Sequence, residues 1–385
     1  MSEEVDKNVA RRYEMLKKLG KGAYGIVWKA ADKKAGKNVA VKKIFDAFQN
    51  AGDAQRTFRE IVYLQELGGH DNIIKLVNVL KAGNDMDIYL VFELLETDVH
   101  NVIKANILED VHKRYIVYQI AKALKYVHSA QLMHRDVKPS NVLIDAECHV
   151  KLCDFGLARS VKSQEHENNN VLTEYVATRW YRAPEILLGS TMYTTAIDMW
   201  SLGCILGELL KGTPMFPGTS TMNQIELILE VTDPPSDADI AAINSPYTVT
   251  MLESLKKEKS TSLAELFPNA PPDAISLLGG LLQFNPTKRL TAEQVLEHPY
   301  LGQFHDANSE PVCDSAIISS MNDDKKFTVE EYRGTLYQSI IERKKTISRQ
   351  SKEAKSRRRD KSRSSGKSGD ADAGSAQDKP SVDEI

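Results

Sequence analysis

Four stretches of this chain hold residue types suited to a single kind of chemistry. Gly20-Lys21-Gly22-Ala23-Tyr24-Gly25-Ile26-Val27 spaces its glycines so that backbone N–H groups, uncovered by side chains, can approach phosphate oxygens. Alone, that run equally suits a Rossmann turn or a flexible hairpin. Val39-Ala40-Val41-Lys42 then follows on a strand pattern and supplies an amine for phosphates, where a Rossmann unit would need a helix directly after the glycines. His134-Arg135-Asp136-Val137-Lys138-Pro139-Ser140-Asn141 gathers a carboxylate able to accept a hydroxyl proton (Asp136), a cation for a migrating phosphoryl group (Lys138) and a neutral oxygen for a hard metal (Asn141). Thirteen residues beyond Asn141 comes Asp154-Phe155-Gly156, a second oxygen donor preceded by the apolar Val150 and Leu152. An Asp before Gly is by itself commonly only a turn. Three such motifs in this order point to in-line phosphoryl transfer from a triphosphate, ATP with Mg2+, onto a hydroxyl.

Secondary structure has to bring these stretches together. Tyr13 to Lys42 reads as strand, glycine-rich turn and strand, with apolar runs at Ile26-Val27-Trp28 and Val39-Ala40-Val41. From Asp53 to Leu67, Phe58, Ile61, Val62 and Leu64 recur at helical spacing. Glu60 lies on that helix; such a Glu is ordinarily a solvated face, but here it follows the strand lysine in the order that would let it pair with Lys42. Strands are expected from Ile73 to Val79 and from Ile88 to Phe92. Beyond Asp98 the pattern turns helical, with Tyr115, Val117, Ile120, Leu124 and Val127 on one face, then Asp198 to Leu210, Asn223 to Val231 and Pro272 to Leu282. The expected fold class is bilobal α+β: a small β-rich lobe with one helix, a hinge near Leu94 to Thr97, and a larger helical lobe.

Composition narrows the function classes. The 385 residues are 42% hydrophobic and 27% charged, and 50 Lys and Arg nearly balance 53 Asp and Glu, which argues against a dedicated nucleic-acid binder or a membrane-surface protein. Cys148, Cys153, Cys204 and Cys313 follow no metal-finger spacing, so reduced thiols are expected. The first twenty residues carry acids and no apolar h-region, which predicts a soluble, unsecreted protein. Cytoplasm and nucleus are the expected locations. From Lys344 the chain turns to Ser, Lys and Arg with almost no apolar residue and is expected to be disordered. That tail suits a nuclear-import patch, a weak anion contact or a plain solubilising segment; nucleic-acid binding through it is an accessory reading only. The expected division is residues 13–304, an extension over 305–343, and the basic tail 344–385.

Ala183-Pro184-Glu185 closes the segment that Asp154 opens, and between them stand Thr173-Glu174-Tyr175 and Val176-Ala177-Thr178-Arg179-Trp180-Tyr181-Arg182. With these residues the chain resembles protein kinases over residues 13–304, more weakly to 343, and is closely similar to mitogen-activated protein kinases. Lys138, two residues past Asp136, is the serine/threonine pattern. A pseudokinase scaffold would be expected to lose Lys42, Asp136 or Asp154, and all three stand. The resemblance implies an ATP site built from Leu19, Gly20, Gly22, Gly25, Val27, Ala40, Lys42, Glu60, Glu93, Leu95 and Leu143, with Phe92 behind the adenine. It implies metal ligands Asn141 and Asp154, protein substrates with Ser-Pro or Thr-Pro sites, and activating phosphorylation of Thr173 and Tyr175. Arg56, Arg59, Arg135 and Arg159 would receive phosphothreonine, and Arg179 and Arg182 phosphotyrosine. Glu174 resembles the extracellular-signal-regulated subgroup, and Phe327 to Arg333 with Leu336 to Glu342 resembles its atypical seven/eight branch, in which the Thr-Glu-Tyr motif is self-phosphorylated; an upstream kinase is the alternative. Basic docking peptides would meet Asp306 and Glu310, weakly, since Ser309 stands where a further acid is usual. Cys153 is expected to be a quiet buried thiol, its rival reading being a target for electrophiles.

Overall fold

The structure is a computed structural model that describes residues 3–22, 25–161, 178–192, 194–255, 261–322 and 325–342, with Lys345 and Arg349. Thr173, Tyr175 and nearly all of the basic tail lie outside the described residues. The chain divides into two units, Met1–Arg333 and Gly334–Ile385, and the second is helical through residue 342.

A short helix α1 (Lys7–Arg12) leads into strands β1 (Tyr13–Lys21), β2 (Gly25–Asp32) and β3 (Lys37–Ile44). With β4 (Leu76–Lys81) and β5 (Ile88–Phe92) they form an antiparallel sheet of order β1-β2-β3-β5-β4. Residues on β2 alternate between buried and half-buried, as a strand with one covered face must. Every residue of β5 is buried, because this strand lies between β3 and β4 with both faces covered. Helix α2 (Ala51–Leu67) starts two residues earlier than its periodicity predicts, since the Asn50 side chain caps it by accepting the Asp53 N–H at 3.0 Å. It buries Phe58, Ile61 and Leu64, and with them Arg59 and Glu60.

The strand expected from Ile73 begins only at Leu76. Ile73 instead bridges Leu152 in parallel, the Ile74 N–H donates to the Leu152 carbonyl at 3.0 Å, and the Leu152 N–H donates to the Asn72 carbonyl at 2.8 Å. This segment is thus recruited to the larger lobe, into which the motif before Asp154 runs.

In the larger lobe β6 (Thr97–Asp98), β8 (Val142–Ile144) and β9 (Val150–Leu152) form one small sheet, and β7 (Leu132–Met133) pairs with β10 (Arg159–Ser160). Helices α3 (Val99–Ala105), α4 (Asp110–Ser129), α5 (Pro184–Leu187), α6 (Ala196–Lys211) and α7 (Thr221–Leu229) follow in chain order around them. α6 is buried from Ile197 to Leu209; a mainly apolar helix buried on all sides belongs at a domain's centre, and α4 packs against it. Glu185 of α5 meets Arg289 through two 2.7 Å bonds, an ion pair sealed from solvent. Further on, Tyr332 packs its ring 5.7 Å from Phe58, so residues before the unit boundary brace α2 from outside. Among the described residues no helix is long and apolar enough to cross a membrane.

His70, just after α2, accepts the Asn72 N–H on Nδ1 at 3.0 Å and stacks 4.7 Å from Tyr126 of α4. Burial, and then the Lys122 cation, push its pKa down to about 4. The unfolded chain binds this proton more readily, so His70 favours the fold fully above about pH 6.5 and loses that contribution as pH falls toward 4. A His70→Gln variant should flatten the stability-against-pH curve between pH 4 and 6.5 by up to about 1.4 kcal/mol per pH unit, read by urea denaturation at several pH values. Identical slopes in the two proteins would contradict the assignment.

Candidate active site

Lys42 is fixed on β3 by register, opposite Val27 of β2 and Leu90 of β5. Its Nζ lies 2.6 Å from Glu60 Oε1 of α2, the pairing expected from their order in the chain. Burial works against the ammonium, but the Glu60 and Asp154 carboxylates outweigh it and hold the Lys42 pKa above its ordinary value. Lys42 therefore stays charged and in one place.

Asp136, Lys138 and Asn141 come from the loop after β7. Asn141 Nδ2 donates to the Asp136 main-chain oxygen at 2.8 Å and to Oδ2 at 2.9 Å, while Lys138 Nζ donates to Oδ2 at 2.7 Å and to Oδ1 at 3.0 Å. With its amide hydrogens committed to Asp136, Asn141 is oriented to offer Oδ1 as its ligating atom, the hard oxygen donor that magnesium takes. Asp154 supplies an anionic oxygen of the same class, so the donor set fits the ion.

The loop's backbone is held from below. Arg135 stands at φ +68°, in the left-handed region that costs a non-glycine residue, and the anchor is Asp198 of α6. The Asp198 carboxylate accepts the His134 N–H at 2.9 Å and the Arg135 N–H at 2.8 Å, and His128 Nε2 lies 2.9 Å away. Burial raises the Asp198 pKa, but the His128 bond and the His134 ring outweigh it, and the carboxyl rests below its usual range. Sequence reading took Asp198 only as a helix start, because an acid in the first turn is ordinary there. The available signal was its place at the head of a helix built for complete burial.

The motif at Asp154 is tied to the same loop. The Cys153 N–H donates to the Asn141 carbonyl at 2.9 Å, and His134 Nε2 bonds the Cys153 carbonyl at 2.9 Å while its ring meets Phe155 edge-on at 4.6 Å. Burial works to raise the Asp154 pKa, but the Lys42 and Arg56 cations overcome it and hold the carboxyl well below the usual carboxylate range. Its surroundings push the Cys153 thiol up, although the side chain is only partly buried and lines the cleft.

Leu19, Gly20, Val27, Ala40, Lys42, Glu60, Phe92, Glu93, Leu95, Asn141, Leu143 and Asp154 line one cleft of about 400 Å³. Gly22 and Gly25 stand at the hairpin turn above it, joined by a 2.9 Å bond from the Gly22 N–H to the Gly25 carbonyl. A Cβ on Gly25 would lie 2.2 Å from the Lys43 carbonyl oxygen, so the chain's own packing demands that glycine. Glu93 is pinned by the Lys75 N–H, 2.8 Å from Oε1, which steadies the hinge. Asp136 faces a neighbouring cavity bounded by Arg135, Thr178, Tyr181 and Arg182. Asn141 thus stands between a cleft sized for a nucleotide and a second space beside the carboxylate.

Of the arginines expected to receive phosphate, Arg59 and Arg159 are buried, and the pairing of β7 with β10 brings Arg135 and Arg159 close. Arg56 reaches Asp154 at 3.1 Å. Arg179 Nη1 donates to the Thr219 carbonyl at 3.0 Å. The docking expectation for Glu310 needs correction. Its side chain is 1% exposed, it meets His305 Nδ1 at 2.9 Å and the Asp306 N–H at 3.2 Å, and Lys125 Nζ lies 3.6 Å away. Glu310 braces its loop from inside, and only Asp306 of the pair faces solvent.

The sequence pattern of the protein kinase domain matches residues 13–301. The chain belongs to the protein kinase family. It is 64% identical over 346 residues to extracellular signal-regulated kinase 2 of Dictyostelium discoideum, covering 89% of this chain and 94% of that protein. It is 58% identical to mitogen-activated protein kinase 15 of Xenopus laevis, across 91% of this chain and 60% of the relative, and 46% identical to extracellular signal-regulated kinase 7 of Drosophila melanogaster, across 88% and 38%. The chain is accordingly a serine/threonine kinase of the mitogen-activated type, and kinases of this family use ATP with Mg2+. In this kinase, Asp198→Ala should lower kcat about a hundredfold while the KM for ATP moves less than about threefold, because the loop holding Asp136 loses its anchor and the nucleotide cleft does not. Steady-state kinetics on a Ser-Pro peptide would show it, and an unchanged kcat would contradict the anchor.

Proposed function

We propose that this kinase moves the γ-phosphoryl group of ATP onto serine and threonine hydroxyls followed by proline, with Asp136 as the proton acceptor. The observation that carries the reading is the bonding of Asp136 to both Lys138 and Asn141 beside the cleft that holds Lys42 and Asp154. A carboxylate so held is oriented before substrate arrives, and Lys138 is near enough to offset charge on the migrating group. Lys42, braced by Glu60, would grip the α- and β-phosphates. Bound Mg2+ supplies charge neutralisation at the phosphate oxygens, with Asn141 and Asp154 as the residues that would hold it. Ala40 and Leu143 would enclose the adenine, whose edge would meet the Glu93 carbonyl and Leu95 N–H.

The proline preference draws on the match from Val176 to Arg182, and the described end of that segment is firmly seated, with Trp180 Nε1 donating to the Gly218 carbonyl at 3.1 Å. Phosphorylation of Thr173 and Tyr175 would activate the kinase, by its own action or by an upstream kinase. With Glu310 turned inward and Ser309 neutral, Asp306 alone of the three offers an exposed acid to basic docking peptides, so such docking is weak.

Asp136→Asn should cut transfer to a Ser-Pro peptide by about 10²- to 10⁴-fold. Turnover equal to the parent protein's would overturn the assignment of Asp136. Mass spectrometry of the two proteins tests self-activation in the same samples: phosphate on Thr173 and Tyr175 in the parent protein alone is expected, and equal labelling of both would point to an upstream kinase.

A further inference from the structure

Arg56 and Glu60 lie four residues apart on α2, so their side chains leave the same face toward the cleft. Glu60 takes Lys42, whereas Arg56 Nη2 lies 3.1 Å from Asp154 Oδ2 and 3.5 Å from Oδ1. The guanidinium is delivered by packing as well as by charge. A Cβ on Gly156 would lie 2.7 Å from Arg56 Cγ and 2.8 Å from Nε, so the stem of Arg56 fills the space that this glycine leaves open. Both side chains of the ion pair are about a quarter exposed, at 26% and 23%, which leaves the pair partly shielded yet open to exchange with solvent ions.

A guanidinium on both oxygens of Asp154 stands where a divalent cation would seek the same negative charge. At contact distance a guanidinium and a divalent cation repel each other, so in this partly buried site each weakens the other's hold on the carboxylate. We propose that Arg56 is a positioning residue that competes with the divalent cation for the Asp154 carboxylate, and so sets how much metal this kinase needs. The inference rests on the reading of Asp154 as a metal ligand. Metal entry then requires the Arg56 head to leave Oδ1 and Oδ2 while its stem stays over Gly156, and the metal must outbid an ion pair already formed. The Lys42–Glu60 bond uses no atom of either partner, so it persists through the exchange while both groups feel the change in charge at Asp154.

The test is Mn2+ binding to the full chain with a non-hydrolysable ATP analogue, followed by electron paramagnetic resonance, for the parent protein, Arg56→Gln, Arg56→Lys and Asp154→Asn. Arg56→Gln should bind Mn2+ about three- to tenfold more tightly, and Arg56→Lys should fall between it and the parent because an ammonium keeps the charge but not the guanidinium stem packed over Gly156. Loosening of α2 alone would weaken binding, so the tightening separates competition from a structural effect. Unchanged or weaker binding in Arg56→Gln, with binding lost in Asp154→Asn, would overturn the competition and leave the metal ligand standing. Binding retained in full by Asp154→Asn would overturn both.

Discussion

Glu60 and Asp154 line one cleft and Asp136 stands in the cavity beside it, and negative charge at that density survives partial burial where cations and N–H donors meet it. Lys42 meets Glu60, Lys138 and Asn141 meet Asp136, and Arg56 meets Asp154. Much of the fold can be understood as the means of delivering those partners. The sheet register sets Lys42, the Asn50 cap starts α2 early enough to present Arg56 and Glu60 on one face, and β8 and β9 bring Asn141 and Cys153 within hydrogen-bond reach. The same charges that stabilise the arrangement are the ones the proposed phosphoryl transfer would employ.

Below the cleft, a fourth carboxylate does a different job. Asp198 is wholly buried in α6 and spends its oxygens on the N–H groups of His134 and Arg135, so a backbone conformation that is costly for Arg135 is over-determined by its surroundings. The hydrophobic centre of the larger lobe is thereby coupled to the position of Asp136. Packing in α6 thus holds the backbone that carries Asp136.

The family was legible in the sequence because phosphate, metal and proton contacts would each demand particular residue types at short, fixed spacing, as in Gly20 to Gly25 and His134 to Asn141. The Lys42 and Glu60 partnership was also readable, from the order of strand and helix. Pairings that depend on distant register were not. Nothing near Ile73 announces that it will bridge Leu152 instead of extending β4, and nothing near Asp198 announces its hold on residues 134 and 135. Glu310 misled for the opposite reason: an acid beside Asp306 and Ser309 reads as exposed charge, yet the loop curls so that His305 and the Asp306 N–H draw it inside.

The convergence of Lys42, Asn141 and Asp154 on one metal-bound triphosphate is tested most directly by crystallising the kinase with Mn2+ and a non-hydrolysable ATP analogue and locating the metal by its anomalous scattering. The metal should lie about 2.1 Å from Asn141 Oδ1 and from an Asp154 oxygen, with Lys42 Nζ within about 3 Å of a phosphate oxygen. A metal bound by other side chains, or a triphosphate lying outside the space between Gly20 and Asp154, would contradict it.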